Sequence, residues 1–136
     1  MTAKKTYKYV IDAQLPTLNE YLAAERRKYK GRRGGYTTGG NEMKHKWQTY
    51  ITVCIRKSLR GVTIREFQVD IHYDIYEPNK KRDKDNVLAV LQKYNQDALV
   101  KTGVLKNDGW NEIRNLSANF YIDKKNPRTE VTLTLV

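Results

Sequence analysis

Lys80-Lys81-Arg82-Asp83-Lys84-Asp85-Asn86 divides two stretches of opposite periodicity. Before it, Glu66 to Tyr76 alternates. Phe67, Val69, Ile71, Tyr73 and Ile75 face one way; Gln68, Asp70, His72 and Asp74 face the other. A period of two over this length predicts a strand with one buried face. Pro78 and Asn79 close it. After the basic run, Val87, Val90, Leu91, Tyr94, Ala98 and Leu99 recur at helical spacing as far as Gly103. Asp85 is placed to cap that helix. The stretch is therefore a strand-to-helix passage holding two carboxylates one residue apart.

Towards the N-terminus, Thr6 to Ala13 alternates again, with Tyr7, Tyr9, Ile11 and Ala13 opposite Lys8 and Asp12. A second strand is expected there. Thr17 followed by Glu20 has capping-box spacing and predicts a short helix to about Arg27. Residues 26–40 then mix arginine, lysine and glycine with almost nothing apolar to bury. They are expected to form a mobile basic loop. Such a loop is either plainly solvated or a DNA-contacting arm. In the second case Arg32 and Arg33 meet phosphates, and Tyr29 and Tyr36 stack on bases. Asn41 is the expected cap of the next helix. Its apolar stripe is Met43, Trp47, Tyr50, Ile51, Cys54, Ile55 and Leu59, and Gly61 ends it.

Towards the C-terminus, Glu112 to Ile122 reads as a strand with Leu116, Ala118, Phe120 and Ile122 on one face. Asp123-Lys124-Lys125-Asn126-Pro127 is a turn, and Val131, Leu133 and Leu135 mark a hairpin partner beyond it. The order strand, helix, helix, strand, helix, strand, strand predicts a single α+β domain over residues 1–136. Its helices are expected on one face of a mixed sheet.

Lysine and arginine exceed aspartate and glutamate by 26 − 15 = 11. An excess of this size, clustered in the sequence, favours a polyanionic partner such as nucleic acid. The one cysteine, Cys54, falls on an apolar stripe and is expected to be a buried hydrophobe, with no intrachain disulfide possible. No apolar run is long enough to span a bilayer, and no basic-then-apolar leader opens the chain. A cytoplasmic protein without a membrane partner is expected.

Asp83 and Asp85 sit two apart, so in extended backbone both side chains reach one point. Paired carboxylates repel, and a hard cation between them relieves the repulsion. Mg²⁺ takes one or two carboxylates together with waters and phosphate oxygens. Asp108, in Asn107-Asp108-Gly109, is a candidate third ligand. Lys80, Lys81, Arg82, Lys84 and Lys106 are candidates to draw in a phosphodiester. Each residue also has a plainer reading: Asp83 as a surface acid, Asp85 as a cap, Asp108 as a turn residue. Asp70, His72 and Asp74 form Asp-x-His-x-Asp, which alternation already explains as the polar face of a strand.

Arg82-Asp83-Lys84-Asp85-Asn86, then Asp97-Ala98-Leu99, then Gly103-Val104-Leu105-Lys106-Asn107-Asp108 resemble the RusA family of Holliday-junction resolvases. Pro16-Thr17-Leu18-Asn19 is similar to that family's early P-x-x-N element. The resemblance implies a small α+β homodimer that nicks four-way DNA junctions with Mg²⁺ or Mn²⁺, often in phage or prophage recombination. It implies that Asp83, Asp85 and Asp108 are catalytic carboxylates and metal ligands. The chain departs from the family at two points. Asn107 replaces the first acid of a D-D pair, and Ala89 stands where a catalytic lysine is expected. Counting back from Asp97 puts Lys93 in the lysine's place, and a salt bridge to Asp97 is its alternative role. The departures leave a second expectation open, a catalytically inactive junction-binding module.

Overall fold

The computed structural model describes residues 4–31 and 34–136. Its elements are β1 (Thr6–Ile11), α1 (Leu18–Glu25), β2 (Lys28–Lys30), β3 (Tyr36–Thr38), α2 (Gly39–Leu59), β4 (Val69–Glu77), α3 (Lys84–Lys101), β5 (Ile113–Ile122) and β6 (Arg128–Leu135). The chain is α+β. Four strands form one mixed sheet in the order β1-β6-β4-β5, and β2 and β3 form a separate two-stranded ribbon.

Alternation explains the sheet. Along β4, Val69, Ile71, Tyr73 and Ile75 are buried. With Tyr9 and Ile11 of β1 and Val131 and Leu133 of β6 they make the floor of the core. Ile51, Ile55 and Leu59 of α2 and Val87, Val90, Leu91, Ala98 and Leu99 of α3 close it from above. The helices thus occupy one face. The other face is polar. There Arg114 holds Asp70 at 3.0 and 2.6 Å, and His72 lies between Ser117 (2.7 Å) and Asp74 (3.0 Å). Asp70, His72 and Asp74 are the polar face of a strand, as alternation predicts. The Arg114 guanidinium holds the Asp70 carboxyl below its usual range.

One buried polar side chain fixes α3 on the sheet. Asn95 is fully buried, accepts from the Tyr9 hydroxyl, and donates to the Tyr73 hydroxyl at 3.0 Å. A buried amide must find such partners or lose the free energy of its hydration. Here it ties α3 to β1 and β4 at once.

Three expectations need correction. Residues 26–40 are not a loop throughout: Lys28–Lys30 pairs antiparallel with Tyr36–Thr38. Arg32 and Arg33 lie outside the described residues. Gly39 and Gly40 open α2 rather than prevent a helix, because α2 begins pressed against the end of α1. A Cβ on Gly39 would stand 2.6 Å from the Ala24 carbonyl oxygen, and one on Gly40 would collide with the Glu25 side chain. Close approach, not flexibility, requires glycine there. The cap of α2 is Thr38, whose hydroxyl accepts from Asn41 N–H at 3.1 Å, rather than Asn41.

The third correction concerns the sheet order. β5 and β6 are not hairpin neighbours. β4 lies between them, parallel to β5 and antiparallel to β6. The turn at Asp123–Pro127 passes over the end of β4, where the Asp123 N–H donates to the Glu77 carbonyl at 2.8 Å. Arg128 stitches that turn by bonds to Asp123 and the Asn126 carbonyl, both 3.0 Å. Among the described residues no helix is long and apolar enough to cross a membrane.

Candidate functional site

β4, α3 and β5 form a strand–helix–strand crossover, and the expected site residues stand at its two ends. At the first end the chain leaves β4 at Glu77 and turns through residues 78–83. Asn79 Oδ1 accepts from Lys81 N–H at 3.0 Å, a local turn that stops the strand. Arg82 points inward. Its Nε is 2.9 Å from Glu77 Oε1 and its Nη1 is 3.9 Å from Glu20 Oε1 of α1. Glu77 is 7 % exposed. A buried carboxylate of this kind needs its cation, so Arg82 is held by the fold rather than offered to a phosphate. Lys80 and Lys81 are exposed.

Asp83 is the N-cap of α3, two residues earlier than the Asp85 expected there. The Asp83 carbonyl accepts from Val87 N–H at 3.1 Å, but its side chain makes no capping bond. Asp85 lies in the first turn, with Oδ1 accepting from Asn86 N–H at 3.0 Å. Both carboxylates are exposed, at the positive end of an eighteen-residue helix. Lys84, between them, lays its ammonium 5.4 Å over the Phe120 ring of β5. That contact links this end of the unit to the sheet edge.

Asp108 is at the other end. The segment after α3 runs back along the start of β4: Leu105 bridges Ile64, Gln68 Nε2 donates to the Trp110 carbonyl at 2.8 Å, and Val69 N–H donates to the Glu112 carbonyl at 2.9 Å. The eighteen residues of α3 separate it from Asp83 by about 27 Å of helix. One chain therefore keeps Asp83 and Asp85 at the head of α3, with Asp85 inside the helix rather than on the extended backbone expected, and leaves Asp108 apart. Among the described residues no three His, Cys, Asp or Glu side chains are grouped closely enough to hold a metal ion. Asp83 and Asp85 alone still suit Mg²⁺ as two exposed carboxylates with no competing partner but one backbone amide, since that ion keeps most of its waters.

Lys93 is about 12 Å along the helix from Asp85. Its Nζ is 3.2 Å from Asp97 Oδ1, and Asp97 Oδ2 also receives Lys44 at 3.2 Å and Gln48 Nε2 at 3.0 Å. The salt bridge is thus formed. Ala89, one turn beyond Asp85, is exposed and supplies no cation. Lys106 is exposed beside Asp108.

Two features went unanticipated. Glu77 continues the core-facing register of Val69, Ile71, Tyr73 and Ile75, and a charge on that register is a signal the sequence contains. Trp110 is 92 % exposed, two residues from Asp108; nothing in its periodicity marks it. No protein-family model matches this chain, and no curated protein matches it either.

Proposed function

We propose that the chain is a metal-dependent, structure-selective endodeoxyribonuclease that resolves four-way DNA junctions, a RusA-like resolvase acting as a homodimer. The observation that carries this reading is the pair Asp83 and Asp85, exposed at a helix N-terminus inside a basic run, Asp83 with no side-chain capping bond and Asp85 with one bond from a backbone amide. Mg²⁺ or Mn²⁺, when bound, supplies a Lewis acid and an acidified water for in-line attack on a phosphodiester. Asp83 and Asp85 hold that ion and its waters. Lys80 and Lys81 draw the phosphate backbone to the α3 terminus. Arg82 acts indirectly: clamped by Glu77 and Glu20, it fixes the turn that presents Asp83.

A third carboxylate comes from a second copy. β5 is an open edge ten residues long, and its two ends lie at the Asp108 end and the Asp83 end of the crossover. Two β5 strands paired antiparallel about a twofold axis place Asp108 of each copy towards Asp83 and Asp85 of the other. Such a dimer carries two sites, one for each of two opposing strands of a junction.

The test uses a synthetic four-way junction and a linear duplex of the same sequence, with and without Mg²⁺, beside Asp85→Asn. Paired nicks in the junction alone, requiring metal and Asp85, are expected. Metal-independent cleavage, or an Asp85→Asn protein as active as the parent, contradicts the reading. The exposed alanine at position 89 favours a second reading, a junction-binding module without catalysis. It predicts salt-sensitive junction binding and no nick with either metal.

A further inference from the structure

Trp110 is the most exposed large apolar side chain among the described residues. Burial is the usual fate of so large an apolar surface, since leaving it in water forgoes its hydrophobic stabilisation. A tryptophan on a loose loop would need no further explanation, but this one is held. Its carbonyl accepts from Gln68 Nε2 at 2.8 Å. On one side Asp108 N–H donates to Asn107 Oδ1 at 2.9 Å. On the other, Glu112 and Ile113 N–H groups both donate to the Gly109 carbonyl, at 3.2 and 3.0 Å. The backbone is anchored on both sides of an indole that makes no aromatic or cation–π contact among the described residues. Trp47, the other tryptophan, packs edge-on to Tyr50 and takes Lys46 over its face.

The side chains that flank Trp110 in sequence are polar. Lys106, Asn107 and Asn111 are exposed around Trp110, and Asp108 is within about 7 Å of chain. A rigid ring with free faces, beside a lysine and next to an acid of the proposed site, suits an unstacked nucleobase. Base–aromatic stacking is tolerant of sequence but requires a base that has left its own stack. The branch point of a four-way junction offers such bases, and the interior of a linear duplex does not.

We infer that Trp110 is a stacking platform for an unstacked base at the branch point, and so a determinant of selectivity for branched over linear DNA. This rests on the nuclease reading above. Phosphate contacts such as Lys106 act on both DNAs alike; Trp110 acts on one.

The experiment uses the full chain carrying Trp47→Phe, which leaves Trp110 as the single tryptophan. It is titrated without divalent metal against a four-way junction and a linear duplex of equal length. Junction binding is expected to quench Trp110 emission strongly, and duplex binding much less. Trp110→Ala in the parent chain is expected to weaken junction binding about tenfold and duplex binding less than twofold, with Trp110→Phe restoring most of the loss. Lys106→Ala is expected to weaken both DNAs equally. The inference is overturned if both DNAs bind without quenching, or if Trp110→Ala lowers both affinities to the same degree. It is also overturned if the indole is already shielded from acrylamide in the DNA-free protein, which would assign it to contact with a second copy. Failure to bind either DNA removes the nuclease reading together with this one; intact binding with an inert Trp110 removes this one alone.

Discussion

The two edges of the main sheet are built in opposite ways. β1 is six residues long, contains Lys8 and follows directly on Lys4 and Lys5. β5 is ten residues long and contains no lysine. It exposes Leu116 at 46 % and Ile122 at 49 % on the face that elsewhere in the sheet is covered by helices. An unpaired edge is a template for another strand, and short length and lysine are the usual guards against it. β1 has both guards and β5 has neither. α2 packs across β1, while over β5 Lys84 reaches from α3 to the Phe120 ring. The sheet is finished on one side and open on the other, and the proposed acids flank the open side.

The largest expected effect lies at those acids. Asp83→Asn should lower metal-dependent junction cleavage about a thousandfold, several kcal/mol of transition-state stabilisation, while leaving the thermal unfolding midpoint unchanged. Cleavage kinetics paired with a melting curve check this. Loss of fold would move the residue from the site to the scaffold.

The covered half of the sheet should show its largest effect in stability instead. Asn95→Ala leaves the buried Tyr9 and Tyr73 hydroxyls without their amide and should cost about 3 kcal/mol in denaturant unfolding. Ser117→Ala on β5, which is exposed, should cost less than about 0.5 kcal/mol. Equal costs would erase the distinction between the two halves.

The edges themselves are compared by Leu116→Lys with Ile122→Lys on β5, and Val10→Lys on β1. The β5 pair should weaken self-association about a hundredfold, since a twofold contact loses each side chain twice. Val10→Lys, on a strand side chain 43 % exposed, should leave it unaltered. Sedimentation across a concentration series reads both. A β1 variant that dissociates the proposed dimer would exchange the roles assigned to the edges.

A smaller effect is expected in alkali. Burial raises the Tyr9 and Tyr73 hydroxyls above their ordinary value of 10.0 and pushes Tyr94 up to about 12. These phenols keep their protons in the folded chain while the unfolded chain loses them. Stability from this source is complete below pH 10 and declines as pH rises through the raised values. Tyr9 and Tyr73 lie on the sheet face that the helices cover, and Tyr94 is on the buried side of α3. Tyr73→Phe should flatten the decline between pH 10 and 12 in denaturant unfolding; an unaltered decline would remove burial of this hydroxyl as its source.

How far the sequence spoke follows from what periodicity measures. Alternation at Val69–Ile75 and the 3.6-residue spacing at Val87–Leu99 say which face is buried, and both faces are as expected. Alternation does not say which strand lies beside which. β5 and β6 each suit a hairpin, and the turn at Asp123–Pro127 is compatible with one; only the core shows that β4 lies between them. β2 and β3 have three residues each, too few for any period. Gly39 and Gly40 look like helix breakers until Ala24 and Glu25 are seen against them. At the site, Asp83 and Asp85 were legible as a pair because they are neighbours in sequence. That Asp108 stands at the far end of α3 was not, because distance along a crossover is set by its strand and helix lengths. Trp110 and the clamp of Arg82 by Glu77 depend on contacts between segments, which spacing does not encode.

The most direct test mixes two inactive proteins. Asp83→Asn and Asp108→Asn subunits are unfolded together, refolded in equal amounts and assayed on a four-way junction with Mg²⁺. If each site takes Asp83 and Asp85 from one copy and Asp108 from the other, half of the dimers are mixed and each holds one intact site. Nicking should then return to about a quarter of the parent rate, as single rather than paired cuts. If no activity returns while the parent regains its own after the same treatment, the sites are not shared between copies. The open edge of β5 would then need another explanation.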